Sequence, residues 1–121
     1  MTILSVDDST TIRRIVKRTV TELGHEVLEA PDGPTALEVL SQNSDKVNLV
    51  ILDWNMPGMT GLEVLKAIRA ESKYSGIPVM MLTSEAEQGY VVQALQAGAK
   101  NYLTKPFDKE MLNLKIQESV A

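Results

Sequence analysis

The chain has 121 residues, 44% of them hydrophobic, with a formal net charge of −4 and a pI near 5.0. That length predicts one domain with a substantial core, and the acidic balance argues against nucleic acid as a partner, which calls for a basic footprint. The absence of cysteine excludes disulfides, thiolate catalysis and cysteine-ligated zinc. No apolar run approaches the ~20 residues of a membrane span, and no secretory signal pattern opens the chain, so the expectation is a cytoplasmic protein without membrane insertion.

Strand-like and helix-like segments alternate from end to end, the pattern of repeated βα units around a parallel sheet. Ile3–Val6 reads as a first strand, running into Asp7-Asp8. Ile12, Ile15, Val16, Val20 and Leu23 then recur at helical spacing, with Gly24 as the C-terminal stop and Arg13, Arg14, Lys17 and Arg18 on the opposite face. Glu26–Ala30 is a short second strand. Asp32-Gly33-Pro34 supplies a turn and a proline for the first helical position, and Ala36, Leu37 and Leu40 face inward.

Polar residues 41–48 lead into Leu49–Leu52, a run without polar alternation, as expected of a strand covered on both faces. Asp53 ends it. Residues 56–61 form the following loop, and Leu62, Leu65 and Ile68 mark a third helix. Pro78 precedes a fourth strand, Val79–Leu82, ending at Thr83. The next helix, about Glu87–Ala97, is anchored weakly, with Gly89 near its start and mostly alanines near its end. Gly98 stops it, Tyr102–Thr104 is a fifth strand ending at Lys105, and Asp108 caps a last helix carrying Met111, Leu112, Leu114 and Ile116.

Four of five strands therefore end in a group suited to phosphate or divalent-metal chemistry: Asp7-Asp8, Asp53, Thr83 and Lys105. In a parallel sheet these ends share one edge, where open α/β folds place their ligand sites. Adjacent carboxylates raise one another's pKa, and a third worsens the conflict. A hard divalent cation relieves it, and Mg2+ suits a site of few protein oxygens and several waters. Asp53 is placed as a carboxylate nucleophile toward phosphorus. Such transfer needs positioning and charge neutralisation, for which a cation, the Lys105 ammonium and the Thr83 hydroxyl are suitable. No phosphate-cradling glycine loop is present, and the lone His25 lacks the second histidine of a zinc-protease motif, so it reads as structural. The basic face of the first helix reads as a solvated face or as an electrostatic guide for an acidic partner.

Val6-Asp7-Asp8-Ser9, Arg13-Arg14-Ile15-Val16, Asp53-Trp54-Asn55-Met56-Pro57-Gly58, Met81-Leu82-Thr83-Ser84-Glu85, Ala97-Gly98-Ala99 and Asn101–Phe107 together resemble the receiver domain of two-component response regulators. The similarity is greatest to the single-domain, CheY-like chemotaxis regulators and spans nearly the whole chain. The resemblance implies a flavodoxin-like, doubly wound α/β fold, with five parallel strands in the order 2-1-3-4-5 and five helices; that order is the one known for this family of regulators. It implies that residues 1–121 are a receiver domain without an output domain. Asp53 is then the phospho-acceptor, and Asp7, Asp8, Asp53 and the backbone carbonyl of Asn55 hold Mg2+. Lys105 contacts the phosphoryl group. Thr83 and Tyr102 form the switch, Lys105-Pro106 is a cis peptide, and Asn55 and Glu85 tune the acyl-phosphate lifetime.

The implied partners are a sensor histidine kinase as phosphodonor, a downstream protein with a flagellar motor switch as one candidate, and a phosphatase. The implied job is signalling, with catalysis limited to the domain's own phosphorylation and dephosphorylation. Alternatives are a single-domain receiver of a non-chemotaxis phosphorelay, an aspartate-nucleophile phosphatase, a flavin carrier of the same fold, and a phosphorylation-independent docking module. The phosphatase would have a second carboxylate where Asn55 stands, and the flavin carrier a first loop free of Asp7-Asp8.

Overall fold

The computed structural model describes residues 1–121. Five parallel strands, β1 (Thr2–Val6), β2 (Glu26–Ala30), β3 (Val47–Leu52), β4 (Val79–Thr83) and β5 (Asn101–Thr104), form one sheet in the order 2-1-3-4-5. The helices α1 (Thr10–Glu22), α2 (Gly33–Gln42), α3 (Gly61–Ala70), α4 (Gln88–Gln96) and α5 (Lys109–Val120) alternate with them. The expected doubly wound architecture is the one observed. No helix is long and apolar enough to cross a membrane.

Period-2 alternation divides the strand side chains between the two faces of the sheet. Leu4, Val6, Val50, Leu52, Val79 and Met81 pack with α2, α3 and Ala94 of α4, while Ile3, Leu49, Ile51, Met80, Leu82 and Leu103 pack with α1 and α5. Both faces are covered, which explains why β1 and β4 are buried throughout and read as continuous apolar runs.

Helix ends follow local chemistry. The side chains of Ser9, Asp32, Thr60 and Asp108 each accept a backbone N–H at the start of their helix. Thr60 and Glu63 complete a reciprocal capping box. By contrast, α4 has no side-chain cap and a single fully buried residue, Ala94.

Several expectations are corrected. Strand β3 begins at Val47, two residues early, because Asn48 points outward and its Oδ1 accepts the Thr2 N–H at 2.8 Å. Gly61 belongs to α3 rather than to the loop, and a short 3-10 turn, Ser72–Tyr74, follows that helix. Ile15, Met111 and Leu114 share the helical spacing of their neighbours but are 43%, 42% and 52% exposed, lying at the margins of the inward stripe. On α1, Arg13 leaves the solvated face and turns toward the end of β1, its side chain only 16% exposed.

Candidate functional site

The β1–β3 register sets the site. Val6 pairs with Leu52 and the Asp53 N–H donates to the Val6 carbonyl at 3.0 Å, so Asp7 and Asp53 leave the sheet side by side. Because β1 has β2 on its other side, this is the point where the strand order reverses and a crevice opens. Asp7, Asp8 and Asp53 each bring one carboxylate oxygen within 4.8 Å of the others. Asp7 and Asp53 are buried and Asp8 is exposed. From the far side, Lys105 Nζ reaches Asp7 Oδ2 at 2.8 Å and Asp53 Oδ2 at 3.3 Å.

The Asp53 carboxylate is held on its other oxygen by the Trp54 N–H at 2.7 Å. Asp7 Oδ1 accepts the Ser9 N–H at 2.9 Å. Helix α3 approaches so closely that its Gly61 N–H donates to the Trp54 carbonyl at 2.8 Å. A methyl group on Gly61 would overlap the Asp53 carbonyl oxygen and stand 2.8 Å from its carbonyl carbon. Only glycine fits there.

Burial pushes the Asp7 carboxyl up, with Asp53 adding to the shift and the hydrogen bonds from Lys105 and Ser9 opposing it. Burial pulls the Lys105 ammonium down, but its bonds and attraction to Asp7 and Asp53 outweigh that and the net direction is up. A simple ion pair would lower the carboxylate and raise the ammonium. Here both rise, because one ammonium serves two carboxylates and desolvation of Asp7 exceeds what Lys105 returns. The cluster is therefore short of positive charge. Its donor set is all hard oxygen, which fits Mg2+ and excludes the soft metals.

Thr83, at the end of β4, and Tyr102, in β5, meet at Glu85. The Thr83 side chain is fully buried, and its Oγ1 accepts the Glu85 N–H at 3.3 Å. The Tyr102 hydroxyl donates to the Glu85 carbonyl at 2.5 Å. Asn55 Nδ2 donates to Glu85 Oε1 at 2.6 Å. Burial first, then the charges of Glu85 and Asp53 and the nearby Tyr90, push the Tyr102 phenol up to about 12, so it stays a neutral donor. Trp54 meets Tyr90 of α4 edge-on, with ring centroids 4.9 Å apart. Lys105-Pro106 is cis, as the resemblance implied.

The structure brings the side chains of Asp7, Asp8, Asp53 and Lys105 together at one sheet edge, while Thr83, Tyr102 and Asn55 meet through Glu85 rather than by a hydrogen bond to Asp53. Sequence reasoning missed the Trp54 and Ser9 amides and Arg13. Helical position alone gave no signal for Arg13, because only its tertiary partners, the Asp7 carbonyl and Glu29, set it apart from Arg14.

The family model described as "Response regulator receiver domain" matches residues 3–117. The chain belongs to the response regulator receiver family. A chemotaxis protein CheY homolog from Campylobacter jejuni is 49% identical, over 98% of this chain and 91% of that protein. Among solved structures, chemotaxis protein CheY4 of Vibrio cholerae superposes with a TM-score of 0.91 at 38% identity, over 98% of this chain and 97% of that one. The CheX–CheY–BeF3–Mg2+ complex from Borrelia burgdorferi gives 0.94 at 25% identity, over 100% of this chain and 90% of that one. The receiver is CheY-like, and such receivers are signalling proteins rather than enzymes.

Proposed function

We propose that this receiver is a phosphorylation-operated chemotaxis switch in which Asp53 takes a phosphoryl group from the phosphohistidine of a sensor kinase. The Lys105 ammonium bridging Asp7 and Asp53 supports this reading most directly, because it already stands where charge on a phosphoryl oxygen would need a counter-ion. An Asp53 carboxylate oxygen attacks phosphorus, the P–N bond breaks, and the imidazole departs with the bonding pair. The Trp54 N–H orients the carboxylate, and Lys105 neutralises the equatorial oxygens. Asp7, Asp8 and Asp53, with the Asn55 carbonyl, would hold Mg2+, which when bound supplies the positive charge the cluster lacks.

Thr83 and Tyr102 report the change through Glu85 to a surface formed by α4, β5 and α5. The near end-to-end match to CheY-type chains supports readout by a separate cytoplasmic protein, a flagellar motor switch being the candidate, with a phosphatase ending the signal. Asn55 in place of a second carboxylate and the aromatic ring of Trp54 beside the acceptor argue against a phosphatase activity of its own. Acetyl phosphate with Mg2+ should form one acid-labile adduct, and Asp53→Asn should abolish it while the fold remains intact. Undiminished labelling of Asp53→Asn would refute the assignment.

A further inference from the structure

Asp8 is the one carboxylate of the cluster whose side chain no other protein group holds. Asp7 is gripped by Lys105 and the Ser9 amide, and Asp53 by Lys105 and the Trp54 amide. Asp8 has no side-chain hydrogen bond or ion pair, so the two peptide planes flanking it set its direction. The plane on its C-terminal side is fixed by Ser9, whose N–H donates to Asp7 Oδ1 and whose hydroxyl caps α1 by accepting the Ile12 N–H at 3.2 Å. The plane on its N-terminal side carries the Asp7 carbonyl, which accepts from Arg13 Nη1. Arg13 is in turn held from β2, its Nε lying 3.4 Å from Glu29 Oε1, and Lys17 Nζ stands 3.7 Å from Glu29 Oε2.

We infer that Arg13, oriented by Glu29, is a positioning residue for the cation site: it locks the Asp7–Asp8 peptide so that the Asp8 carboxylate faces Asp7 and Asp53. This rests on the magnesium reading above and goes beyond it. The arrangement is informative because its two physical effects have opposite signs. By charge alone a guanidinium this near the cluster repels a divalent cation, so removing it would tighten binding. By geometry, removing it frees the peptide and weakens binding; outer-shell partners of metal ligands commonly account for ~10- to 100-fold in affinity.

The test is a magnesium chloride titration followed by the fluorescence of Trp54, the chain's single tryptophan, whose amide holds Asp53. Arg13→Met, which keeps the packing of the stem, should raise the Kd for Mg2+ about tenfold. Arg13→Lys should raise it less, since one donor still reaches the Asp7 carbonyl. Lys17→Ala removes a cation from the same neighbourhood without touching Asp7 and should leave the Kd unchanged or lower. Urea unfolding in EDTA separates a structural role, which would lower stability and leave the Kd alone. If Arg13→Met binds Mg2+ as tightly as wild type, or more tightly, the inference fails; if it does not fold, Arg13→Gln takes its place and a wild-type Kd there overturns the inference equally. A wild-type protein with no magnesium response would instead sink the reading beneath it.

Discussion

Gly61→Ala sets two energetic terms against each other at the site. Gly61 opens α3 with no unusual backbone angle, so helix propensity alone would favour alanine by up to ~1 kcal/mol. The added methyl, however, would overlap the Asp53 carbonyl oxygen and stand 2.8 Å from both the Asp53 carbonyl carbon and Trp54 Cα. These are backbone atoms at the end of a buried strand, which cannot swing aside as a flexible side chain can. Restoring an ordinary carbon–carbon separation of ~3.5 Å alone means moving the helix start or the β3 end by about 0.7 Å, and clearing the Asp53 carbonyl oxygen requires more. Overpacking of this kind costs ~1–3 kcal/mol, and stretching the Gly61 N–H bond to the Trp54 carbonyl adds about 1 kcal/mol. The net expectation is a loss of ~1–3 kcal/mol, or roughly 4–12 °C in Tm for a domain of this size. Asp53 phosphorylation should fall at least about tenfold as well, because sub-ångström misplacement of a reacting carboxylate is costly. Gly89→Ala is the matched control. It lies near the start of α4 with no atom within 4 Å of the new methyl, and should gain about 0.5–1 kcal/mol. Urea unfolding of both variants, with acetyl phosphate labelling, decides the matter. A Gly61→Ala protein within about 0.5 kcal/mol of wild type would refute the reasoning, since that is the range of a neutral surface change.

Asp7→Asn should be more stable than wild type at pH 7 in EDTA. Burial raises the Asp7 pKa in the fold, so its protonated form is favoured there; that benefit is complete below its ordinary value of 3.8 and is lost as pH rises through the folded value. The stability gap between variant and wild type should therefore close on acidification toward pH 4, and excess MgCl2 should narrow it at pH 7 by stabilising the wild type; an Asp7→Asn protein less stable than wild type at pH 7 without metal would contradict the sign. Lys105→Ala leaves two buried carboxylates without their shared counter-ion and should cost about 1.5–3 kcal/mol in EDTA as well as signalling output, while Lys105→Arg should restore stability better than output. Wild-type output from Lys105→Ala would leave the end of β5 a purely structural role. Thr83→Ala should still be phosphorylated on Asp53 but lose most of a partner-affinity gain of ~5- to 150-fold, measured with and without beryllofluoride; an equal gain in both proteins would mean that the signal bypasses Thr83.

Much of this was readable in the chain, because the strands of a parallel sheet covered on both faces are unbroken apolar runs. Leu49–Leu52 or Val79–Leu82 can hardly be anything else, and the residue after each run, Asp53 or Thr83, falls at one sheet edge without further assumption. Legibility fails where a residue's role depends on a partner distant in sequence. Asn48 looks like loop but continues β3 because Thr2 needs an acceptor. Ile15 and Leu114 fit the helical spacing as well as their buried neighbours, yet the stripe that packs on the sheet is narrower than the set of apolar positions. Arg13 is indistinguishable from Arg14 until Glu29 and the Asp7 carbonyl are brought to it. The capping box of Thr60 and Glu63 is different: its spacing was there to be read, and reading it would have placed Gly61 in the helix.

The placement of Glu85 bears on how a change of one charge at Asp53 can be felt elsewhere. Coupling requires an element with two arrangements, and the two helices beside the site are not equally able to supply one. Helix α3 is held by Val64, Leu65 and Ile68, a capping box, and the close Gly61 approach. Helix α4 has Ala94 alone fully buried, no side-chain cap, and exposed Val92 and Leu95. Segments that open or shift come from the less anchored part of a fold, so under the proposed switch α4 is the helix expected to move. The loop leading into it is held through Glu85, whose amide, carbonyl and carboxylate meet Thr83, Tyr102 and Asn55. Under the proposed switch, a phosphoryl group that draws the Thr83 hydroxyl toward Asp53 would remove the acceptor of that amide and so release one of three restraints at once. The remaining two, from β5 and from the loop after β3, would then set where α4 settles. The edge-on contact of Trp54 with Tyr90 gives the acceptor strand a second, independent hold on the same helix.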